Sequence, residues 1–498
     1  MSGREEESDL VAARRAKLER LRAAGVDPFP HRYPGVVPIA SVRAAHPDLA
    51  PGQETESAHR VAGRLAARRG QGGAAFLDLV DRTGRIQLHA RVDVLGPERF
   101  ERLLELDLGD LVGVDGAAFA TRRGELSLRV EDFALLAKSL RPPPDKRHGL
   151  TDVETRYRRR ELDLMANADT RAVFRARAGA VTAIRGYLDR EGFIEAETPV
   201  LQPLYGGALA RPFTTYHQAL DRTLYLRIAT ELYLKRLLVG GLERVYELGK
   251  DFRNEGLSPK HNPEFTMVEF YEAYADYLDA AQRLEALVAE AAQAVDGALR
   301  GEEGDSVTPP IELETWRQPW RRLTLREAIL QHTGIDLAEH RDRDSLVRAV
   351  GAAGLELAVE GRSWAQLVDD LLSKRVEPHL LEPTLVIDYP VELSPFAKPH
   401  RSEPGLVERW EAFAGGIEIA NAFTELNDPD EQRARFEAQR REAEAGDPEA
   451  QPFDETFLAA LEQGMPPAAG VGLGIDRLVM VLTGRPSIRE VVLFPALR

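Results

Sequence analysis

The chain has 498 residues, of which 43% are hydrophobic and 29% charged, and its formal net charge is −16. This predicts a globular protein of two to four domains, and the absence of cysteine excludes disulfides, thiolate metal sites and a cysteine nucleophile. No apolar run approaches the ~20 residues of a membrane span, and the charged N-terminal segment lacks the apolar core of a secretory signal. We therefore expect a cytoplasmic protein without a membrane partner. Its negative charge argues against nonspecific nucleic-acid binding by the whole surface, although a local basic groove remains compatible with it.

The N-terminal third predicts a helix followed by a small barrel. Leucines at near-helical spacing over residues 10–24 indicate the helix, which Gly25 ends. Short strands with alternating apolar residues follow, as in GRIQLHARV (84–92) and GELSLRV (124–130). Such strands, joined by glycine-containing turns, predict a closed barrel of the oligonucleotide-binding type.

After the barrel the pattern changes to mixed helices and strands, so the fold class is α+β. Three consecutive prolines mark a linker, since they cannot continue a helix or strand. The predicted division is a lead-in at 1–54, a barrel at 55–138, a linker at 139–150 and a second domain at 151–498. Within that second domain, residues 168–191 predict a long helix, and mainly helical patterns predict an insertion near 278–380.

The segment DFRNEGLSPKHNPEFTMVEFYEAY (251–274) combines many charges with many aromatic rings. Extended arms flank its glycine- and proline-containing loop, which predicts an antiparallel hairpin. Alternation puts Phe265, Glu269 and Tyr271 on one face of the second arm. Arg253, at the mouth of the loop, could hold a phosphate or a carboxylate, and the ring of Phe265 could stack on a base. Taken alone, the segment is equally well explained as a surface hairpin with salt bridges.

A second segment, ERWEAFAGGIEIANAFTELNDP (408–429), contains several candidate ligand-binding residues. Glu411 and Glu418 lie seven residues apart, and Asn421, Phe423 and Glu425 alternate along a predicted strand. Strict alternation puts Glu418 on the opposite face from Asn421. If both serve one pocket, the strand must twist or bulge between these two positions.

A third segment, AAGVGLGIDRLVMVLTG (468–484), predicts a glycine-rich strand that runs into a helix. It does not match the G-x-G-x-x-G dinucleotide pattern. Its glycines let a ligand approach the backbone closely, and Arg477 lies near the helix N-terminus, where anions are favoured.

Together these segments closely resemble the signature motifs of class II aminoacyl-tRNA synthetases. F-R-N-E-G with H-N-P-E-F-T is similar to the second motif, G-L-G-I-D-R to the third, and GFIEAETPVL (192–201) to the first. Bacterial-type lysyl-tRNA synthetases are the most similar group, through GGALARPF (206–213), LYLRIATELYLKRLLVGG (224–241), ALEQGMPP (460–467) and LFPALR. The resemblance implies a class II catalytic domain built on an antiparallel sheet with flanking helices, and a homodimer formed through the first motif.

The resemblance also implies the reaction. Such enzymes activate L-lysine with ATP to lysyl-adenylate, release pyrophosphate, and transfer lysine to the 3′ end of tRNA(Lys). The implied partners are tRNA(Lys), ATP, L-lysine and a second copy of the chain, and the implied cofactor is Mg²⁺. Catalysis by positioning and charge stabilisation suits a chain without cysteine.

Individual residues receive roles from the same resemblance. The implied catalytic residues are Arg253, Glu255 and Arg477. The implied ATP-binding residues are Arg253, Glu255, His261, Asn262, Phe265, Glu411 and Arg477. The implied lysine-binding residues are Gly207, Glu231, Glu269, Tyr271, Asn421, Phe423 and Glu425. The implied magnesium ligands are Glu411 and Glu418. The implied anticodon-binding residues are Arg68, Phe76, Gln87 and Glu125.

The chain departs from the family pattern at a few positions, and three other functions remain open. Thr230 stands where proline is usual, Ile417 stands where arginine is common, and SPFAKPH (394–400) replaces a more usual leucine and basic pair.

Aspartyl- and asparaginyl-tRNA synthetases share the architecture, but their substrates have no cationic side chain. A paralogue that lysylates a protein, or an inactive tRNA-binding or regulatory protein, would also resemble parts of the chain.

Overall fold

The computed structural model describes residues 2–144, 149–208, 210–300, 312–444 and 452–497. They form two compact units with the boundary between Ala168 and Asp169. The central part of the predicted linker, 145–148, and residues 301–311 of the predicted insertion lie outside the described residues. No helix in the described ranges has the length and apolar character that a membrane span requires.

The first unit contains a closed β-barrel with the strand order β1-β2-β3-β5-β4. Its strands are β1 (Glu54–Gln71), β2 (Ala74–Asp81), β3 (Gly84–Arg91), β4 (Leu111–Ala120) and β5 (Leu126–Ala137). Its helices are α1 (Ser2–Ala23), α2 (Ile39–Ala45), α3 (Val92–Leu95), α4 (Pro97–Glu105), α5 (Val153–Arg158) and α6 (Arg160–Ala166). The barrel predicted from the sequence is confirmed.

The alternation of β3 explains how the barrel closes around its core. Ile86, Leu88 and Ala90 are buried in the barrel interior, whereas Gln87 and His89 between them are only partly buried. Because successive side chains of a strand point to opposite faces, the polar residues are left on the outside of the barrel.

The second unit is built on a long sheet with the strand order β12-β13-β14-β15-β16-β11-β10-β6. A small sheet, β7-β9-β8, accompanies it. The strands of the unit are β6 (Ile194–Glu195), β7 (Leu201–Gln202), β8 (Thr214–His217), β9 (Arg222–Leu226), β10 (Arg244–Phe252), β11 (Glu264–Ala273), β12 (Arg321–Thr324), β13 (Thr384–Pro390), β14 (Leu406–Ala414), β15 (Ile417–Thr424) and β16 (Ala468–Gly474). Neighbouring strands of the long sheet are antiparallel except at its two edges, where β12–β13 and β10–β6 are parallel. The predicted antiparallel sheet is confirmed.

Helices cover one face of the long sheet. The helices of the unit are α7 (Ala168–Arg190), α8 (Glu231–Val239), α9 (Tyr277–Leu299), α10 (Leu325–Thr333), α11 (Arg343–Ala352), α12 (Trp364–Leu371), α13 (Pro429–Glu444), α14 (Glu455–Leu461), α15 (Ile475–Thr483) and α16 (Ile488–Val491). Apolar residues of α7, α9 and α15 form one core with sheet residues such as Val268, Phe270 and Trp410. On the other face, α8 packs against Tyr271, and the part of the central strands that it leaves uncovered is available for a ligand.

The region of the predicted insertion divides into two structural parts. Helix α9 packs on the sheet because its apolar stripe, which includes Leu284, Leu287 and Val288, is buried against the strands. Helices α10 to α12 instead form a separate core with β13, in which Ile329 and Leu367 are fully buried. The separate helical cluster thus begins after α9, and β12 joins the sheet itself.

Candidate active site

The candidate site lies on the opposite face of four neighbouring strands, beside α8, where antiparallel register aligns side chains in rows. Residues directly opposite each other on paired strands share a face of the sheet. The first row, from β14 to β11, consists of Glu411, Asn421, Gly472 and Glu269. The second row consists of Arg409, Phe423, Gly470 and Tyr271. Register alone therefore brings together residues that are far apart in the chain.

Glycines on the central strand β16 form the floor of the site. A Cβ atom on Gly470 would lie 2.2 Å from Glu425 Oε1 and 2.3 Å from Tyr271 Cε1. A Cβ atom on Gly472 would lie 3.0 Å from Met267 Cε. Side chains from the neighbouring strands thus lean over a backbone that has none of its own, which is the use of glycine for close approach.

A β-bulge in β15 explains how Glu418 and Asn421 can share one face of the sheet, although strict alternation puts them on opposite faces. Ala412 pairs with Ala420, but the next residue of β14, Phe413, pairs with Glu418, so Ile419 is the extra residue. The bulge reverses the alternation. As a result Glu418 and Asn421 line the same cavity, and the bulge expected between them is present.

The rows enclose a cavity of about 370 Å³. The predicted residues that line it are Gly207, Glu231, Arg253, Glu255, His261, Asn262, Phe265, Glu269, Tyr271, Glu411, Glu418, Asn421, Phe423 and Arg477. Glu425 is fully buried just behind this wall, with its carboxylate against Gly470 and Tyr271. The predicted hairpin is confirmed as β10 and β11, which pair from Arg244 opposite Glu272 to Phe252 opposite Glu264.

The closed end of the cavity is acidic and shielded from solvent. The Tyr271 hydroxyl donates to Glu269 Oε2 at 3.1 Å, and the Thr230 backbone N–H donates to Glu269 Oε1 at 3.2 Å. Burial, together with the negative charges of Asp251 and Glu231, raises the pKa of Glu269 to about 8. A proline at position 230 could not donate this hydrogen bond, so Thr230 adds a contact that the usual family residue lacks.

Lys235 also lies at this end, and the sequence analysis missed it. Its Nζ is 2.5 Å from Glu231 Oε1 and 2.5 Å from Glu425 Oε2, and the side chain is fully buried. The rings of Phe396 and Phe423 lie 5.1 and 5.3 Å from the same nitrogen. The four-residue spacing of Glu231 and Lys235 on one helix was the available signal, although it is usually that of a surface pair.

Near the hairpin loop, an arginine and an aromatic ring stack on each other. The guanidinium carbon of Arg253 lies 5.1 Å from the centre of the Phe265 ring, and Arg253 Nε donates to the Ile228 carbonyl at 3.4 Å. Glu255 follows at the mouth of the cavity and is exposed. Asn262 lines the wall, but its amide is engaged with backbone, donating to the Glu264 carbonyl at 2.5 Å and accepting from the Ala496 N–H at 3.2 Å.

Glu411, one of the two candidate magnesium ligands, lies in a polar network. It accepts hydrogen bonds from the Tyr389 hydroxyl at 3.0 Å and from Arg409, which also donates to Asn421 Oδ1 at 2.9 Å. Burial raises the pKa of Glu411 to about 7, against the opposing charge of Arg409. Arg409 was not among the predicted residues, although it precedes Glu411 by two positions on the same strand.

Glu418, the other candidate ligand, is linked to the predicted nucleotide-binding residues. Arg477 Nη1 donates to Glu418 Oε2 at 2.9 Å, and Arg477 Nη2 lies 3.1 Å from His261 Nε2. Since arginine only donates, Nε2 accepts, and the other ring nitrogen carries the proton directed at Ser258 Oγ, 2.7 Å away. Partial burial and the charge of Arg477 lower the pKa of His261, which favours this neutral form.

In the barrel, two of the four predicted anticodon residues share an outer face. Phe76 stacks on His89 with ring centres 4.5 Å apart and planes inclined by 7°. Gln87, next on the same face of β3, accepts a hydrogen bond from Ser127 at 3.1 Å. This aromatic surface is suited to base stacking.

The other two predicted anticodon residues lie apart from Phe76. Arg68 is opposite Leu77, whose side chain is in the core, and Arg68 Nη1 donates to the carbonyls of Leu104 and Leu106 at the end of α4. Residue 69, also an arginine, is the one opposite Phe76. Glu125 lies in the turn before β5.

Comparison with known proteins gives an independent assignment. Residues 152–498 match the family model of class II tRNA synthetases (D, K and N), and residues 59–136 match an OB-fold nucleic acid binding domain. A lysine–tRNA ligase of Moorella thermoacetica is 50% identical over 497 residues, covering 99% of each chain. One of Chloroflexus aurantiacus is 51% identical over 493 residues, covering 99% of this chain and 98% of the relative. These matches agree with the resemblance drawn from the motifs, and the chain belongs to the class II tRNA synthetase family that includes these lysine–tRNA ligases.

Proposed function

We propose that this chain is a lysine–tRNA ligase, which activates L-lysine with ATP and transfers it to the 3′ end of tRNA(Lys). The observation that carries the proposal is the acidic closed end of the cavity, where Glu231, Glu269 and Glu425 converge with the Tyr271 hydroxyl. The relatives named as lysine–tRNA ligases, which match over nearly the whole length, support it.

The chemistry of the closed end favours a cationic side chain. A buried ammonium group needs carboxylate partners, and Glu269 and Glu425 supply them. A methionine or leucine side chain would leave these carboxylates unpaired, and an aspartate side chain would add a further negative charge. The aspartyl and asparaginyl alternatives are therefore disfavoured, because the carboxylates have no role in binding those substrates.

The other end of the cavity suits ATP. We assign the base to a position against Phe265 and Arg477, and the phosphates to the vicinity of Arg253, whose planar guanidinium can bind two oxygen atoms at once. His261 and Glu255 line the same region, whereas Asn262 holds the loop to the C-terminal segment and acts through it.

Glu411 and Glu418 fit the requirements of a magnesium ion. Both are carboxylates on neighbouring strands, and both line the cavity. Within the described ranges, no group of three or more acidic, histidine or cysteine side chains has a metal-binding arrangement. Magnesium suits this pair nonetheless, since it commonly binds one or two carboxylates together with substrate phosphates. When bound, it would offset the phosphate charge and orient the pyrophosphate leaving group.

Activation needs only positioning and charge stabilisation from the protein. The lysine carboxylate oxygen attacks the α-phosphorus of ATP, the bond from that phosphorus to the bridging oxygen breaks, and pyrophosphate leaves. Arg253 stabilises the negative charge that builds on the α-phosphate oxygens. A ribose hydroxyl at the tRNA 3′ end then attacks the carbonyl carbon of the adenylate, and AMP leaves. No protein nucleophile takes part.

We assign the barrel to the anticodon of tRNA(Lys), with Phe76 stacking on a base and Gln87 hydrogen-bonding a base edge. We also propose a homodimer formed through the segment 192–201, and a cytoplasmic place of action, where tRNA is charged. The exposed Ile194, Val200 and Leu201 in that segment support the dimer surface.

The test is amino-acid-dependent exchange of pyrophosphate into ATP, measured with each of the twenty amino acids. We expect exchange with lysine alone. Exchange with aspartate or asparagine would overturn the proposal, and so would a lack of exchange with all twenty amino acids. Glu269→Gln should lose most of the lysine-dependent exchange. Glu264→Gln is the matched control, because this exposed glutamate on the same strand is absent from the cavity wall.

A further inference from the structure

The amino-acid end of the cavity contains a cation of the protein's own. Lys235 lies on α8 one turn after Glu231, and its side chain is fully buried. A lysine is almost never fully buried unless it is paired. Here its Nζ lies 2.5 Å from one carboxylate oxygen of Glu231 and 2.5 Å from one of Glu425. Both carboxylates belong to residues that the proposed function assigns to lysine binding.

Packing alone does not require a cation at this position. The rings of Phe396 and Phe423 lie close to Lys235 Nζ, and Leu234 and Leu238 on the same helix are buried. An apolar residue of similar length would fill this space, and buried ion pairs are often no more stabilising than such a replacement. The position of Lys235 is therefore better explained by the charge of the site.

A count of charges at the closed end indicates what Lys235 does. Glu231, Glu269 and Glu425 supply three carboxylates, and Lys235 supplies one ammonium group. Two negative charges remain for a ligand. L-lysine has two ammonium groups, one at Cα and one at the end of the side chain. The two negative charges of the pocket therefore match these two positive charges, and the substrate carboxylate is not part of this count.

The other charged groups that face this cluster already have partners. Asp251, which acts on Glu269, is 3.1 Å from Arg227, which also pairs with Glu247. The charge of Arg253 acts on Asp251 as well, so two arginines face two carboxylates. Arg409, which acts on Glu231, is paired with Glu411. Tyr271 stays neutral, because burial raises the pKa of its hydroxyl well above the ordinary value. The count is therefore not altered by these neighbours.

We propose that Lys235 is a positioning residue and a built-in counter-ion, which orients Glu231 and Glu425 and favours their ionised forms. Once its three carboxylates are ionised, the pocket presents two negative charges to the two ammonium groups of L-lysine. The inference rests on the proposed function and adds to it the means by which Glu231 and Glu425 ionise at a lower pH than burial alone would allow.

Titration of the same groups supports this role. Burial raises the pKa of Glu231 and of Glu425, and the charge of Lys235 opposes the rise in both. Burial by itself would lower the pKa of Lys235, but the charges of Glu231 and Glu425 raise it above its ordinary value. Without Lys235, the two carboxylates would hold protons to higher pH, and these protons would have to leave before lysine binds.

The experiment measures this proton release. Lysine binding to the full-length protein is followed by calorimetry in buffers of different ionisation enthalpy between pH 7 and 9, and kcat/KM for lysine is measured by pyrophosphate exchange. In Lys235→Met we expect up to one more proton released per lysine bound. The acid limb of the pH profile of kcat/KM should shift to higher pH by about one pH unit or more, because an opposite charge at close range has been removed. Lys235→Arg, which keeps the charge, should release as many protons as the unaltered protein.

An unchanged proton count and an unchanged acid limb in Lys235→Met would overturn the inference, because a purely structural lysine would alter stability but not titration. If Lys235→Met does not fold, the double variant Lys235→Met with Glu425→Gln replaces the ion pair by neutral groups and again leaves two carboxylates. It should show a proton count close to that of the unaltered protein, and a displaced acid limb in it would equally contradict the inference. Lysine-dependent exchange by the unaltered protein separates these outcomes from a failure of the proposed function.

Discussion

Lysine binding should strengthen steeply as the pH rises towards 8. Burial raises the pKa of both Glu269 and Glu425 to about 8 in the ligand-free cavity, so below that pH the neutral, protonated forms predominate. The ammonium group of lysine binds the ionised forms. Each carboxyl must therefore release its proton on binding, and lower pH must weaken binding.

The magnitude follows from the two carboxyls. With a pKa of about 8, lowering the pH from 8 to 7 reduces kcat/KM for lysine roughly 5-fold if one proton leaves and roughly 30-fold if two leave. The two groups interact, so the apparent values belong to the pair rather than to either residue. In Glu269→Gln one of the two carboxyls is absent, so at most one proton should leave when lysine binds.

The assay is kcat/KM for lysine from pH 6.5 to 8.5 by pyrophosphate exchange, with ATP saturating so that titration at the nucleotide end has little effect. Glu264→Gln, at the exposed start of β11, should keep the full pH dependence. A flat profile over this range, or one that falls as the pH rises, would refute the reasoning.

Four further substitutions test separate parts of the site. Arg253→Ala should abolish adenylate formation with an unchanged melting temperature, and full exchange activity in this variant would exclude its role in charge stabilisation. Phe76→Ala should raise KM for tRNA without affecting pyrophosphate exchange, and an equal loss in both assays would contradict the assignment of the barrel. Thr230→Pro removes the N–H that donates to Glu269 and should raise KM for lysine roughly 5-fold, which corresponds to the loss of about 1 kcal/mol for one hydrogen bond. Thr230→Ala keeps the N–H and should leave KM unchanged, so equal KM values for the two variants would show that the bond is unimportant. Gly470→Ala should abolish lysine binding, because its Cβ would meet the Glu425 carboxylate and the Tyr271 ring, and a normal KM for lysine in a folded variant would disprove this.

Local patterns in the sequence predicted the elements that carry the site. The period of two placed Phe265, Glu269 and Tyr271 on one face of a strand, and the structure has them on the cavity wall. It could not place Glu418 beside Asn421, since a single extra residue reverses the alternation, and the bulge depends on pairing with the neighbouring strand.

Contacts between distant segments were beyond the reach of pattern analysis. Lys235 looks like one half of an ordinary helix pair with Glu231 until Glu425, nearly two hundred residues later, is brought against it by β15. Likewise, nothing in the sequence around Arg68 indicates that its guanidinium reaches the carbonyl groups at the end of α4. Resemblance to a family supplies roles, but the partner of each charge depends on the three-dimensional arrangement.

The glycine floor of β16 has a consequence for how the pocket can change. The depth of the pocket at this floor is set by main chain that is hydrogen-bonded to a strand on each side. The floor has no side chain there that could change rotamer to fit a smaller amino acid. A variant with altered amino-acid preference must therefore be sought in the walls contributed by β11 and β15. A side chain at Gly470 would collide with the Glu425 carboxylate and the Tyr271 ring, which are themselves assigned to lysine binding.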